Sequence, residues 1–303
     1  MRKLARYSLA LLALGVVLLG LLLAALFLVN PGRYSAYLEQ SMVRSARDAG
    51  VLLSFGNSQL SLSQLQAHQV KIAIPRKFLF FDVDSISLQP EYLTLLGLKP
   101  RMSLEAKLYE GTLNGIGQYW LRSGEGTGSI RAQDIKVAEH AQLSGLGLRD
   151  GTLALEGLDL SFDPSGLRSG KLQVLLQGVQ KPQTSSFPLR SFGLPLDLQL
   201  PSFSDLNLSL RADVQRPNIE ISEFDLSSSL GTLKARGKLT LAPNGQPGSI
   251  ILDGTTELTS EGLAALGQYL PLLSGGSIDE TTSRFRFLLK GSPQLPSLRL
   301  TRF

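Results

Sequence analysis

Leu206-Asn207-Leu208-Ser209-Leu210-Arg211-Ala212-Asp213-Val214 alternates apolar and polar residues without a break. Side chains in a strand point alternately to opposite faces, so this stretch gathers its apolar residues on one side and leaves the other to water. The same period of two returns in Leu194, Leu196, Leu198 and Leu200, and in Leu104, Ala106 and Leu108 around Glu105 and Lys107. It returns again in Phe285 and Phe287, in Val70, Ile72 and Ile74 after Leu60, Leu62 and Leu65, and in Ser85-Ile86-Ser87-Leu88. The pattern predicts a mainly β, antiparallel body over residues 51–303 with a few short helices.

Glycine supplies the punctuation. Gly111, Gly151, Gly170 and Gly231 share an x-Gly-x-Leu pattern, which predicts a turn glycine just before each strand. Their spacing is irregular, so this is a loose recurrence of strand units and not a solenoid of fixed period. Three segments read as helix. Tyr34 to Ala49 has apolar residues near the helical period and Gly50 as its cap, and Glu91 to Leu98 reads as a short turn. Ser260 to Leu273 is predicted to start on a capping Ser260 and to meet Pro271 near its end. Gln180 to Ser186 and Ala242 to Gly248 read as loops.

The N-terminus carries a different signal. Arg2, Lys3 and Arg6 precede an unbroken apolar run from Leu9 to Val29. About 20 apolar residues at ~1.5 Å each span a hydrocarbon core of ~30 Å, and backbone groups inside lipid must bond internally, which predicts a helix. Leu9, Leu12, Val16, Leu19, Leu22, Leu26 and Val29 are the expected anchor residues. A cleavable signal peptide has a shorter apolar stretch and small residues at its exit. This run leaves instead through Phe27, Leu28, Val29, Asn30 and Pro31. With the basic residues in front, the positive-inside rule keeps residues 1–7 cytoplasmic and exports the chain beyond the span at 8–29. Residues 30–50 then form a linker and amphipathic helix, and 51–303 the exported β body. In a bacterium with two membranes this is a single-pass inner-membrane protein with its bulk in the periplasm.

Composition narrows the class. Of 303 residues 43% are hydrophobic and 18% charged, too apolar for a disordered chain. The net charge of +5 is modest and dispersed, with no basic stripe interleaved with stacking aromatics, so nucleic acid is not an expected partner. There is no cysteine, which excludes disulfides, thiolate metal sites, a cysteine nucleophile and a lipidated cysteine. His68 and His140 stand far apart without helical partners at metal-ligand spacing. Asp82 and Asp84 share one face of a strand, as catalytic carboxylates can, but that is equally the look of a solvated face. Asp279-Glu280 is a loop pair, and Ser161 and Ser165 lie in no nucleophile elbow. Gly124-Glu125-Gly126-Thr127-Gly128 is followed by a strand and lacks the helix and lysine of a phosphate loop, so it reads as a hairpin. The closing Phe303 resembles the end of an outer-membrane barrel strand, but one Trp and an uncleaved helix argue against a barrel. No catalytic residue, cofactor or metal is expected.

Ser85-Ile86-Ser87-Leu88, Leu93-Thr94-Leu95-Leu96-Gly97-Leu98-Lys99-Pro100 and Leu104 to Gly115 form a strand, a short helix ending in proline, and a strand with a glycine turn. This unit resembles the GspN family of type II secretion components and, more loosely, AsmA-like envelope proteins. Leu233 to Leu239 and Lys290-Gly291-Ser292-Pro293 are similar to the same family. The resemblance implies a non-enzymatic, inner-membrane-anchored periplasmic part of the type II secretion system, partnered by other secretion-system or envelope proteins. It also implies an elongated, curved β-sheet. The alternative is an AsmA-like protein that binds or transfers phospholipid. In that reading Leu104, Leu108, Leu196, Leu198, Leu208, Leu210, Phe285 and Phe287 line an apolar groove for acyl chains instead of a closed core.

Overall fold

A computed structural model describes residues 31–48, 50–60, 64–75, 79–91, 94, 99–120, 122–188, 197–242, 247–292 and 295–302. Arg2, Lys3, Arg6 and the anchor from Leu9 to Val29 lie outside the described residues, as do Leu196, most of 92–98 and Phe303. No helix among the described residues is long and apolar enough to cross a membrane. The chain divides into two units, Met1–Pro90 and Glu91–Phe303.

In the first unit, helix α1 (Pro31–Asp48) starts with a proline, whose missing N–H costs nothing in the first turn. Gly50, at φ +78°, donates its N–H to the Arg47 carbonyl at 2.9 Å and closes the helix in the left-handed conformation. Strand β3 (Leu65–Ile74) is central. β1 (Leu52–Ser54) and β2 (Asn57–Leu60) pair with successive parts of β3, and β4 (Leu79–Glu91) pairs with it as well, all antiparallel. Val70 and Val83 face each other across β3 and β4, both buried. α1 is tied to β2 through the Ser58 hydroxyl, which donates to Glu39 Oε2 at 2.8 Å.

The second unit is an antiparallel meander. It runs through β5 (Arg101–Leu108), β6 (Gly111–Tyr119), β7 (Gly126–Lys136), β8 (Thr152–Asp163) and β9 (Gly166–Lys181). A separate two-stranded ribbon, β10 (Ser185–Pro188) with β11 (Asp197–Leu200), interrupts it. The sheet resumes with β12 (Phe203–Gln215), β13 (Asn218–Ser228), β14 (Gly231–Leu241), β15 (Pro247–Leu258), β16 (Arg284–Ser292) and β17 (Leu295–Arg302). β9 pairs directly with β12, so chain order is sheet order once the ribbon is set aside.

The expected strands form, with local differences. Gly111 and Gly231 open their strands and Gly151 precedes β8, as expected. Gly170 instead lies inside β9, where the β8–β9 register shifts between Leu158 and Ser161. A Cβ there would sit 2.6 Å from the Leu160 side chain, so the glycine serves a bulge and not a turn. The expected loop Gln180 to Ser186 is largely strand: Gln180 and Lys181 end β9, and β10 starts at Ser185. Pro247, expected in a loop, opens β15. Glu91, expected in a helix, is the last residue of β4.

Two helical insertions leave the sheet. Between β7 and β8, a 3-10 turn (Val137–Glu139) precedes α2 (Ala141–Gly145), neither of which the apolar pattern predicts. Between β15 and β16 lie α3 (Ser260–Leu266), a 3-10 turn (Gly267–Tyr269) and α4 (Leu270–Ser274). The cap of α3 is Thr259 and not Ser260: its hydroxyl accepts from the Gly262 N–H at 3.0 Å and donates to the Ser229 carbonyl at 2.7 Å. Gly262 packs on the β13–β14 turn so closely that a Cβ would meet the Leu230 carbonyl oxygen at 1.8 Å. Pro271 stands near the start of α4, where proline is tolerated. This insertion closes the main cluster of the unit, in which Leu270, Ile278, Phe285 and Leu300 are buried against Leu258, Leu263 and Phe287.

Candidate functional site: an apolar sheet face and its terminal cavity

Register turns the alternation into two chemically opposite faces. On one, Ala106 faces Leu113, which faces Ala132, which faces Leu155, which faces Val174. Val174 faces Leu210, Leu210 faces Phe224, and Phe224 faces Ala235. A parallel row runs through Leu176, Leu208, Leu226 and Leu233. Apart from Ala106 and Ala132 these side chains are only partly covered. Leu104, Leu108, Leu208 and Leu210 all belong to this face, with Leu108 buried and the other three partly exposed. Phe285 is buried in the closed cluster and Phe287 packs against it, so both lie under the α3–α4 insertion. Leu198 lies opposite Phe187 in the separate ribbon and is not a strand neighbour of the others.

The opposite face is dominated by charged side chains, with Ile116 and Ile251 exposed among them. β13 presents Glu220, Glu223 and Asp225, and β14 presents Lys234, Arg236 and Lys238. β15 presents Asp253 and Glu257, and β16 presents Arg284, Arg286 and Lys290. Arg286 clamps Asp253 with two bonds of 2.9 and 2.6 Å, and Arg284 holds Glu257 at 2.9 Å. The Arg286 hydrogen bond is the main cause that lowers the Asp253 pKa, and the same pairing raises that of Arg286. Arg211 with Glu223, and Arg131 with Glu156, repeat the theme farther along the sheet. At one hairpin end Arg216 gathers Asp163 at 3.0 Å, Ser165, and the carbonyls of Gly166 and Leu167. The Ser165 hydroxyl, with help from Arg216 and against desolvation, holds the Asp163 carboxyl down at about 2. A concavity of about 970 Å³ lies on the ionic face between Asp213, Glu220, Arg236 and Lys238. Its charges are of both signs, the acids Asp213 and Glu220 side by side on β12 and β13 and the bases Arg236 and Lys238 on β14, which suits no single ion.

The apolar face ends differently. At the β13–β14 turn it opens into a cavity of about 520 Å³ whose wall is almost wholly apolar. Leu226, Leu230, Leu233 and Leu258 supply the sheet side, Leu266 comes from α3, and Leu146 and Leu148 come from the segment after α2. Pockets for apolar ligands have this size and lining, with a few placed polar groups. Strand alternation singles out Leu206, which lines this cavity, and Leu208, on the same row as Leu226 and Leu233, while Leu210 lies one row farther along. Leu226 and Leu233 are legible from their alternation. Leu146, Leu148 and Leu266 are not, because they come from insertions with no strand period.

Other residues singled out in the sequence stay apart. His68 sits on β3 opposite Ser85 and Asn57, and His140 lies beside the Tyr109 ring, 5.3 Å between centroids. Asp82 and Asp84 are exposed on one face of β4. Gly124 to Gly128 joins β6 to β7 as a hairpin, as expected. Asp279, whose carboxyl is lowered mainly by the Thr281 and Thr282 hydroxyls, organises its own loop. No group of three or more metal-ligating side chains occurs among the described residues. Compared with protein-family models, with curated proteins and with solved structures, the chain finds no match, so its geometry has to speak for its function.

Proposed function

We propose that this chain is a non-enzymatic envelope protein, held in the membrane by the helix expected over Leu9 to Val29, whose exported β body binds lipid acyl chains. The supporting observation is the continuous apolar face of the second unit, partly exposed over many strands and running into a nearly wholly apolar cavity. Contiguous exposed apolar surface is costly in water and marks a surface that meets a partner or a lipid. The ion-paired opposite face keeps the same sheet compatible with an aqueous compartment. The AsmA-like resemblance leads to the same role. An accessory part in type II secretion, implied by the GspN-like stretches and the anchor, requires no such cavity, and for that reason the lipid reading leads.

A photo-crosslinking amino acid placed at Leu104 or Leu210 of the full chain in cells tests this, with Glu105 and Arg211 as neighbours on the other face. Lipid adducts from positions 104 and 210 but not from 105 and 211 are expected. Equal labelling of both faces, or none, refutes the proposal.

A further inference from the structure

Among the described residues that wall the terminal cavity, one is ionisable, Lys181. It is 3% exposed, the one charged side chain in the buried set of the described residues. It ends β9 opposite Phe203, and its ammonium donates to the Gln183 carbonyl. An ammonium has three N–H donors, and no second acceptor and no carboxylate within ion-pairing reach stand beside this one among the described residues. A buried cation without a counter-charge is expensive, so buried charges are normally paired. The rest of this wall is leucine with Phe203, Pro201 and Gly231, and Ser228, Thr232 and Thr256 are its other polar side chains.

Size and charge together narrow the occupant. A methylene takes roughly the volume of a water in the liquid, ~30 Å³, so a cavity of about 520 Å³ holds about 17 such groups. That is one long acyl chain; a diacyl lipid would leave its second chain outside the cavity, on the apolar sheet face. A phosphate monoester brings a charge of roughly −1.5 to −2 against a single cation, whereas a carboxylate brings one. We infer that the cavity holds a long-chain fatty-acid anion, with its chain among Leu226, Leu230, Leu233 and Leu258 and its carboxylate accepting from Lys181 Nζ beside the Gln183 carbonyl. The inference rests on the lipid-binding reading and narrows it to one chain and one charge.

The test uses the full chain in neutral detergent with diazirine-labelled palmitic acid, adducts being mapped by peptide mass spectrometry, and unlabelled palmitate or hexadecanol as competitors. Adducts are expected on the peptides carrying Phe203 to Leu206 and Leu226 to Leu233. Palmitate should compete roughly tenfold better than hexadecanol, the size of one charge-assisted hydrogen bond. Lys181→Met keeps the apolar stem, so hexadecanol should compete as before while the advantage of the acid disappears. Lys181→Arg should retain it, and Leu233→Trp should fill the cavity and abolish labelling. Equal competition by acid and alcohol in the unmodified chain, or labelling indifferent to Leu233→Trp, overturns the inference. Failure here with lipid adducts at Leu210 intact removes the fatty-acid site alone. Failure at both removes the lipid reading as well.

Discussion

Ile278→Ala tests where the second unit keeps its stability. Ile278 is fully buried among Leu270, Phe285 and Leu300. The substitution deletes three carbon groups, each worth ~0.8 kcal/mol of transfer free energy, or about 2.4 kcal/mol in all. The closed surroundings add a cavity term, so the total cost should reach about 3–4 kcal/mol. Leu210→Ala deletes as many groups from the apolar face, but its side chain is partly exposed and no sealed void results, so the cost should be about 1–2 kcal/mol. Hydrogen exchange of the full chain, read by mass spectrometry, separates the two because local openings report local free energies. At ~1.4 kcal/mol per factor of ten, Ile278→Ala should speed exchange in β15, β16 and β17 by about a hundredfold or more. Leu210→Ala should speed β9, β12 and β13 only about tenfold. If Leu210→Ala proves the more damaging, the apolar face is a sealed core and not an open lipid surface.

Three further outcomes are expected. The Asp163 carboxyl is held at about 2 in the folded chain against an ordinary 3.8, so its stabilising effect is fully present above about pH 4 and is lost as pH falls toward 2. Urea midpoints should drop across that window, and Asp163→Asn should flatten the dependence. Gly254→Ala places a Cβ 2.3 Å from the Lys234 carbonyl oxygen and 2.7 Å from the Phe287 ring, and should lower stability by ~1–3 kcal/mol in a urea titration. Thr259→Ala removes the cap of α3 and its bond to Ser229, at a cost of ~1–2 kcal/mol. Because Leu266 of the same helix lines the apolar cavity, palmitate labelling should fall too, and Thr259→Ser should restore both.

The sheet was legible because its signal is local and repeated. Leu206 to Val214, Leu104 to Leu108 and Val70 to Ile74 each announce their strand within a few residues. Connections were harder to read. Tyr109-Glu110 turns the chain between β5 and β6 with φ of 49° and 60°, a conformation usually signalled by Asn-Gly, and here the glycine comes after the turn instead. Gly170 shows the same ambiguity, since a bulge and a turn need the same residue. The cap of α3 fell one residue before the expected one because Thr259 and Ser260 are both competent, and only the fit of Gly262 against Leu230 decides between them. Half of the cavity was legible on the same terms, through strand leucines. Lys181 was not, because its meaning comes from Leu146, Leu226 and Leu266, which are far from it in sequence and meet only in the folded sheet.

The ionic face also carries information about assembly. A leucine face is nearly featureless, so a chain of similar strands has little in it to say which strand should neighbour which. β13 bears only acids, β14 only bases, β15 only acids and β16 only bases. Within these four strands, a pairing that skips one of them would set like charges side by side, a penalty that acts while the sheet is still choosing partners. Each exposed pair adds little to the finished stability. Their combined effect is a parity check on the order of these four strands, written on the side of the sheet that the proposed lipid never touches.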